Sequence, residues 1–183
     1  MTVHDPYVLP EGLPVPVDDG AADHLADSEL PDLVLPSSQG AVNVRDFEVL
    51  YVYPRTGRPG QEPLPGWDDI PGARGCTPQS CAFRDHHAEL AAFGARVAGL
   101  SAQSIEDQIE FAERNRMPGP VISDEWLDLA RDPGLPTFDV GLTLYKRLAL
   151  VAERGRIVKV FYPVFPPDRN AQDVLDWLEE RPR

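Results

Sequence analysis

The sequence predicts an α/β protein: a central mixed sheet with helices on both faces, formed by residues 41–183, behind an extended, acidic, proline-rich arm over residues 1–40. Three observations predict it. From residue 47 onward the apolar residues switch between the period of strands and the period of helices, the pattern of βαβ units and parallel strands. Two strand-like runs then follow one another around Glu153-Arg154-Gly155-Arg156 with no helix between them, so an antiparallel hairpin joins the parallel part before a last helix. Residues 1–44, finally, hold eight acidic residues and neither Lys nor Arg, which is −8 of the net −13, and are interrupted by Pro6, Pro10, Pro14, Pro16, Pro31 and Pro36.

Each element has its own signal. Proline fixes φ and removes a donor, so the arm is expected to form neither long helices nor central strands. Its apolar residues Leu25, Leu30, Leu33, Val34 and Leu35 suit an extended segment lying over the core and the sheet edge, with a solvated tail as the alternative. Phe47–Tyr53, β-branched and aromatic and stopped by Pro54, reads as a buried strand. Residues 55–75 are rich in Gly and Pro and form a long loop, of the kind that in a compact domain is usually functional or disordered. Thr77-Pro78 opens a helix running toward Phe93. Arg96–Leu100 is a short strand, Ser104 caps a helix through Phe111, and Val121-Ile122 is a brief strand. Ser123 suits an N-cap for a helix over Glu125–Arg131, ending before Pro133-Gly134. Leu148–Ala152 and Ile157–Tyr162 are the hairpin strands, and a helix from about Ala171 to Glu180 closes the chain. Trp67, Trp126 and Trp177 are read as packing residues, and there are no internal repeats.

Composition narrows the function classes. A chain of 183 residues and 20.2 kDa can bury a core without metal or disulfide staples. A net charge of −13 and a pI near 4.6 argue against nucleic acid and against an anionic membrane surface as partners. No apolar run reaches 18 residues, and MTVHDPYVLPEG lacks the basic and apolar regions of a secretory signal, so a cytoplasmic setting is expected. Only two cysteines are present, both in GARGCTPQSCAFRD, residues 72–85. In such a chain they point to metal or redox use rather than to a disulfide scaffold.

The chemistry of that segment favours Cys76 as the nucleophile. It sits at or just before the start of the predicted helix, where partial positive charge and free backbone N–H groups stabilise a thiolate, and Arg74 and Arg84 lie near in sequence. Cys81 follows one turn later beside Phe83 in a more apolar setting that suits a second, resolving thiol. On a regular helix, residues five apart have Cα atoms roughly 8–9 Å from each other, beyond the ~4.4–6.8 Å a disulfide requires. Either the first turn unwinds when they join, or Cys76 precedes the cap and meets Cys81 with less movement. Zinc is the competing use, since Cys76, Cys81, His86 and His87 make a C-x4-C-x4-H-H array, though with looser spacing than usual zinc hooks and no second ligand cluster. His86 and His87 are better read as lying on the solvent side of a helix end.

GCTPQSCAFRD resembles the active-site segment of the peroxiredoxins of the Q (bacterioferritin-comigratory) subfamily, through Gly75, Cys76, Thr77, Cys81, Phe83, Arg84 and Asp85. The likeness extends more weakly through Tyr53-Pro54, Val97–Ser101, Ser123-Asp124 and Arg147, over about residues 41–181. It implies a thioredoxin-like fold and a thiol peroxidase, with Cys76 peroxidatic, Cys81 resolving and Arg147 as the cation that activates the sulfur and orients the peroxide. Gly75, Thr77 and Arg74 would line the substrate site. The peroxide would convert Cys76 to a sulfenic acid, Cys81 would condense with it, and a thioredoxin-like dithiol protein would restore both thiols. No metal, flavin or haem is implied, and the chain would work as a monomer or weak dimer.

The chain departs from the subfamily at one point. The hydroxyl residue three positions before the peroxidatic cysteine is Ala73, the proline four before that is Asp69, and the loop ahead is enlarged. Thr77, Thr56 or another loop residue could supply the hydroxyl. IPGARGCTP also resembles the PGAFTPxC pattern of another peroxiredoxin branch, in which the later cysteine would be peroxidatic. The alternative function is a disulfide-exchange or redox-sensing protein without peroxidase turnover.

Overall fold

The computed structural model describes residues 4–182. Nine strands and five α-helices follow in chain order: β1 (Val34–Ser37), β2 (Gly40–Asn43), β3 (Val49–Val52), α1 (Cys76–Asp85), α2 (His87–Ala92), β4 (Val97–Ser101), α3 (Ile105–Asn115), β5 (Val121–Ser123), α4 (Asp128–Arg131), β6 (Thr137–Asp139), β7 (Thr143–Tyr145), β8 (Leu148–Glu153), β9 (Arg156–Phe161) and α5 (Asn170–Glu180). Seven strands make one mixed sheet in the order β2-β1-β5-β4-β3-β8-β9, and β6 and β7 form a separate small ribbon. β3 pairs parallel with β4 and antiparallel with β8, and β4 pairs parallel with β5. The mixed sheet expected from the alternating pattern is therefore present, and its interior strands β4 and β3 are buried at every residue.

Two cores lie on the two faces. On one, Val49, Tyr51, Val97, Val121, Ala149 and Val151 of the sheet meet Phe83 of α1, Leu90 of α2, Phe111 of α3 and Val174 of α5. Phe83 lies flat on Tyr51, ring centroids 4.4 Å apart and planes 7° from parallel, which fixes α1 against the sheet. On the other face Leu50, Val52, Leu100, Ile122 and Leu150 are covered by the short α4 through Leu129 and by Ala22, Leu25 and Leu30 of the arm. Helices occupy both faces unequally, and an irregular chain does on the second face what helices do on the first.

The docked part of the arm also reaches the sheet edge. The amides of Asp27 and Leu30 donate to the carbonyls of Ile157 and Gly155, and the Ile157 amide donates back to Ser28, at 2.7–2.9 Å. This covers the start of the edge strand β9. The expectation that the arm holds no interior strand needs correction, because β1 carries Pro36 and stands between β2 and β5. The physical reason is local: Ser37 opposite Ile122 is the one pair joining β1 to β5, so Pro36 interrupts no ladder on that side.

Other local differences have equally plain causes. The helix expected from Pro78 to Phe93 is two helices, α1 and α2, broken at His86. Ser104 caps α3 as expected, accepting from the Asp107 amide. Ser123 does not cap α4; it donates to the Gln103 carbonyl, while buried Asp124 accepts from the amides of Asp128 and Leu129 and from the Tyr145 hydroxyl. Trp67 is buried, but Trp126 is 77 % exposed and packs into neither core. In the β8–β9 hairpin Arg154 and Gly155 have φ of 49° and 82°, the left-handed pair that suits the sheet twist.

Candidate active site

Three segments converge at one end of the sheet. In the β3–β8 pair Val52 stands opposite Leu148, so the residues that follow β3 and the residue that precedes β8 leave the sheet side by side. Those residues are Tyr53, Pro54 and Arg55 on one strand and Arg147 on the other. The N-terminus of α1 is packed against the same end, with Cys76 as its first residue.

The cap is Gly75, with φ of 108°. A Cβ there would stand 2.3 Å from Pro167 Cγ and 2.9 Å from Leu9 Cδ2, so only glycine permits this approach. Gly75 thus seats the start of α1 beneath the turn that precedes α5.

Cys76 is 3 % exposed. Its Sγ accepts from Nη2 of Arg147 at 3.3 Å and from the Arg55 backbone amide at 3.4 Å. As a thiol it has the Ala73 carbonyl to donate to, at 3.6 Å. Arg147, also 3 % exposed, donates from Nη2 to the carbonyls of Gly72, Ala73 and Arg74 and from Nη1 to Gln79 Oε1. Gln79 in turn donates to Asn170 at the start of α5. Among the described residues no carboxylate pairs with this buried guanidinium. An unpaired buried charge is expensive, and the sulfur is the one acidic group in its hydrogen-bond shell.

The other arginines near in sequence turn elsewhere. Arg74 lines the cavity, but its guanidinium donates to Asp68 and to the carbonyls of Asp5 and Val8, and meets His4 Nδ1. Arg84 bonds Asp85 and the Asn115 carbonyl. Of the three candidates, Arg147 alone reaches Cys76.

Cys81 sits in the same helix, half-buried, with its Sγ donating to Asn115 Oδ1 at 3.8 Å. Burial pushes its thiol up, offset in part by Arg84. Both cysteines are free and helical, so the first of the two geometries open from the sequence is the one present: joining them requires α1 to unwind. The zinc array does not assemble. Among the described residues no three metal-ligating side chains cluster, and His86, half-buried, pairs with Glu89.

A cavity of about 120 Å³ opens onto the sulfur, walled by Cys76, Thr77, Arg55, Thr56, Gln103 and Trp67. The hydroxyls available near Ala73 differ in state. Thr56 Oγ1 and its amide both donate to Gln103 Oε1, whereas the buried Thr77 Oγ1 has no partner. Sequence reasoning missed Gln79, Asn170, Asn115 and the Arg55 amide. Only Gln79 carried a signal, lying three residues after Cys76 on one helix face; the others come from segments remote in sequence.

Comparison with known proteins identifies the family. The redoxin family profile matches residues 25–175. Chloroplastic peroxiredoxin Q of Sedum lineare is 31 % identical over 155 residues, covering 81 % of this chain and 75 % of that protein. That of Gentiana triflora is 30 % identical over 155 residues, covering 81 % and 64 %. Among solved structures, peroxidoxin BcpB from Mycobacterium tuberculosis superposes with a TM-score of 0.68 at 24 % identity, covering 86 % of this chain and 98 % of that one. Xanthomonas campestris peroxiredoxin Q gives 0.66 at 23 %, covering 84 % and 96 %. The two structural likenesses establish the thioredoxin-like fold. With the family match and the Sedum relative, the chain belongs to the redoxin family and, within it, to the Q-type peroxiredoxins, which are thiol-dependent peroxidases.

Proposed function

We propose that the chain reduces hydrogen peroxide and small hydroperoxides with Cys76 as the peroxidatic and Cys81 as the resolving thiol. The observation that carries the assignment is the buried Arg147 guanidinium, which has Cys76 Sγ at 3.3 Å and no carboxylate in reach. Cys81 has no such donor and is held as a thiol against Asn115, which argues against the swapped assignment.

The thiolate attacks the terminal peroxide oxygen, the O–O bond breaks, and the departing alkoxide or hydroxide takes a proton from water. The sulfur loses two electrons and becomes a sulfenic acid. Arg147 and the Arg55 amide, aimed at the sulfur, are placed to stabilise charge as it shifts onto the peroxide oxygens. Thr77, whose buried hydroxyl is unpartnered, supplies the hydrogen bond that Ala73 cannot. Gly75 lets the helix start reach the sheet end; Arg74 shapes the wall rather than binding substrate through its guanidinium. Cys81 then condenses with the sulfenic acid, releasing water and forming the disulfide. A thioredoxin-like dithiol protein returns two electrons and two protons.

Both thiols and the guanidinium come from one chain, which supports action as a monomer or weak dimer. The net charge of −13 supports the absence of nucleic-acid and membrane partners. The need for a dithiol donor supports a reducing, cytoplasmic setting. The test is stopped-flow oxidation by hydrogen peroxide. Wild type and Cys81→Ser should react far faster than a free thiol, Cys81→Ser should leave a trappable sulfenic acid, and Cys76→Ser should not react. A wild-type rate no faster than a free thiol's would leave the disulfide-exchange alternative in its place.

A further inference from the structure

The family match begins at residue 25, yet residues 4–9 touch the surroundings of both cysteines. At the Cys76 end, the carbonyls of Asp5 and Val8 accept from Arg74 at 2.7 and 2.9 Å, and Leu9 packs on Gly75, the cap of α1. At the Cys81 end, the Tyr7 hydroxyl donates to Asn115 Oδ1 at 2.9 Å, the same oxygen that accepts from Cys81 Sγ. Arg114 donates to that hydroxyl at 2.8 Å and lies over the Tyr7 ring. One short segment, outside the residues the profile matches, is therefore fastened to the residues just before the first thiol and to the acceptor of the second.

These contacts belong to the dithiol shape of α1. With both cysteines helical, roughly 8–9 Å separates their Cα atoms, and a disulfide needs at most about 6.8 Å. Part of α1 must therefore move, and the segment packs on its first end at Gly75 and shares with Cys81 the acceptor Asn115 at the end of α3. We propose that residues 4–9 form a clasp that holds α1 in its dithiol form and is released when the Cys76–Cys81 disulfide closes. The coupling is reciprocal: whatever the clasp contributes to the dithiol form it withholds from the disulfide, and closing the disulfide loosens the clasp by the same factor. The inference uses the cysteine pairing assigned above but not the peroxide chemistry.

The test therefore closes the disulfide in the full-length protein with diamide, a diazene that takes up two electrons and two protons as the dithiol becomes the disulfide. Cleavage by chymotrypsin at Tyr7-Val8, read by mass spectrometry, should be at least about tenfold faster in the disulfide form, as expected when several hydrogen bonds are lost together. Tyr7→Phe, which removes the hydroxyl's bonds with Asn115 and Arg114 and leaves the ring over Arg114, should shift the dithiol–disulfide equilibrium in a dithiothreitol buffer about threefold to tenfold toward the disulfide. Equal cleavage in the two forms, an unshifted equilibrium in Tyr7→Phe, or no disulfide with diamide would each overturn the clasp. A disulfide that forms with diamide and not with peroxide would overturn the peroxidase reading and leave the clasp standing on its own measurements.

Discussion

Replacing Arg147 with methionine isolates the guanidinium, because Met has a similar reach and suits a site that is 3 % exposed. The change removes the donor 3.3 Å from Cys76 Sγ, three bonds to the carbonyls of residues 72–74, and the bond to Gln79. Only the first acts on the reacting atoms. Losing one preorganised donor to developing charge costs about 2.7–4 kcal/mol, or about 10²–10³ in rate. Stability should move less, since the same substitution also removes a buried charge with no carboxylate partner. The assay is stopped-flow fluorescence during single-turnover oxidation by hydrogen peroxide, with Trp67 in the wall of the same cavity as reporter. Arg147→Lys should recover only part of the loss, because a compact ammonium cannot hold the loop carbonyls and the sulfur at once. An Arg147→Met rate within threefold of wild type, in a protein that melts normally, would refute the assignment of the guanidinium.

Thr77→Val should slow the peroxide step about tenfold, the worth of one hydrogen bond, while raising stability slightly because an unpaired buried hydroxyl is removed; Thr77→Ser should behave as wild type, and equal rates in all three would remove Thr77 from the site. Disulfide formation after a peroxide pulse should speed up about tenfold per pH unit between pH 6 and 8, because burial pushes the Cys81 thiol up and only its thiolate attacks; a flat profile, read by quenched mass spectrometry, would contradict this. Asp124→Ala should lower stability by about 2–4 kcal/mol, since it orphans the Tyr145 hydroxyl and the amides of Asp128 and Leu129. Calorimetry should then show a melting point roughly 5–15 °C lower, and a change of under 2 °C would discount the cap.

Much of this molecule is written in short stretches of chain. The strand at Phe47–Tyr53, the Ser104 cap, the Arg154-Gly155 turn and the closing helix depend on local period, capping chemistry and backbone preference, which a few neighbouring residues settle. The first strands are the counterexample. Prolines through residues 1–44 made an interior strand look excluded, and β1 forms because its single pairing with β5 spares Pro36, a fact about a partner some 85 residues away.

The site divides in the same way. By itself the sequence marked the candidate pair, because a cysteine beside Gly75 and ahead of Thr77-Pro78 stands at a helix start. Local chemistry did not choose among the arginines: Arg74, Arg84 and Arg147 are equally basic, only the family resemblance pointed to Arg147, and it is strand pairing that brings Arg147 to the sulfur while the arm and Asn115 draw the other two away. Charge acts through space at 3–4 Å, so a contact between residues 76 and 147, or between Tyr7 and the acceptor of Cys81, exists only once β3, β8 and α3 have placed their ends together.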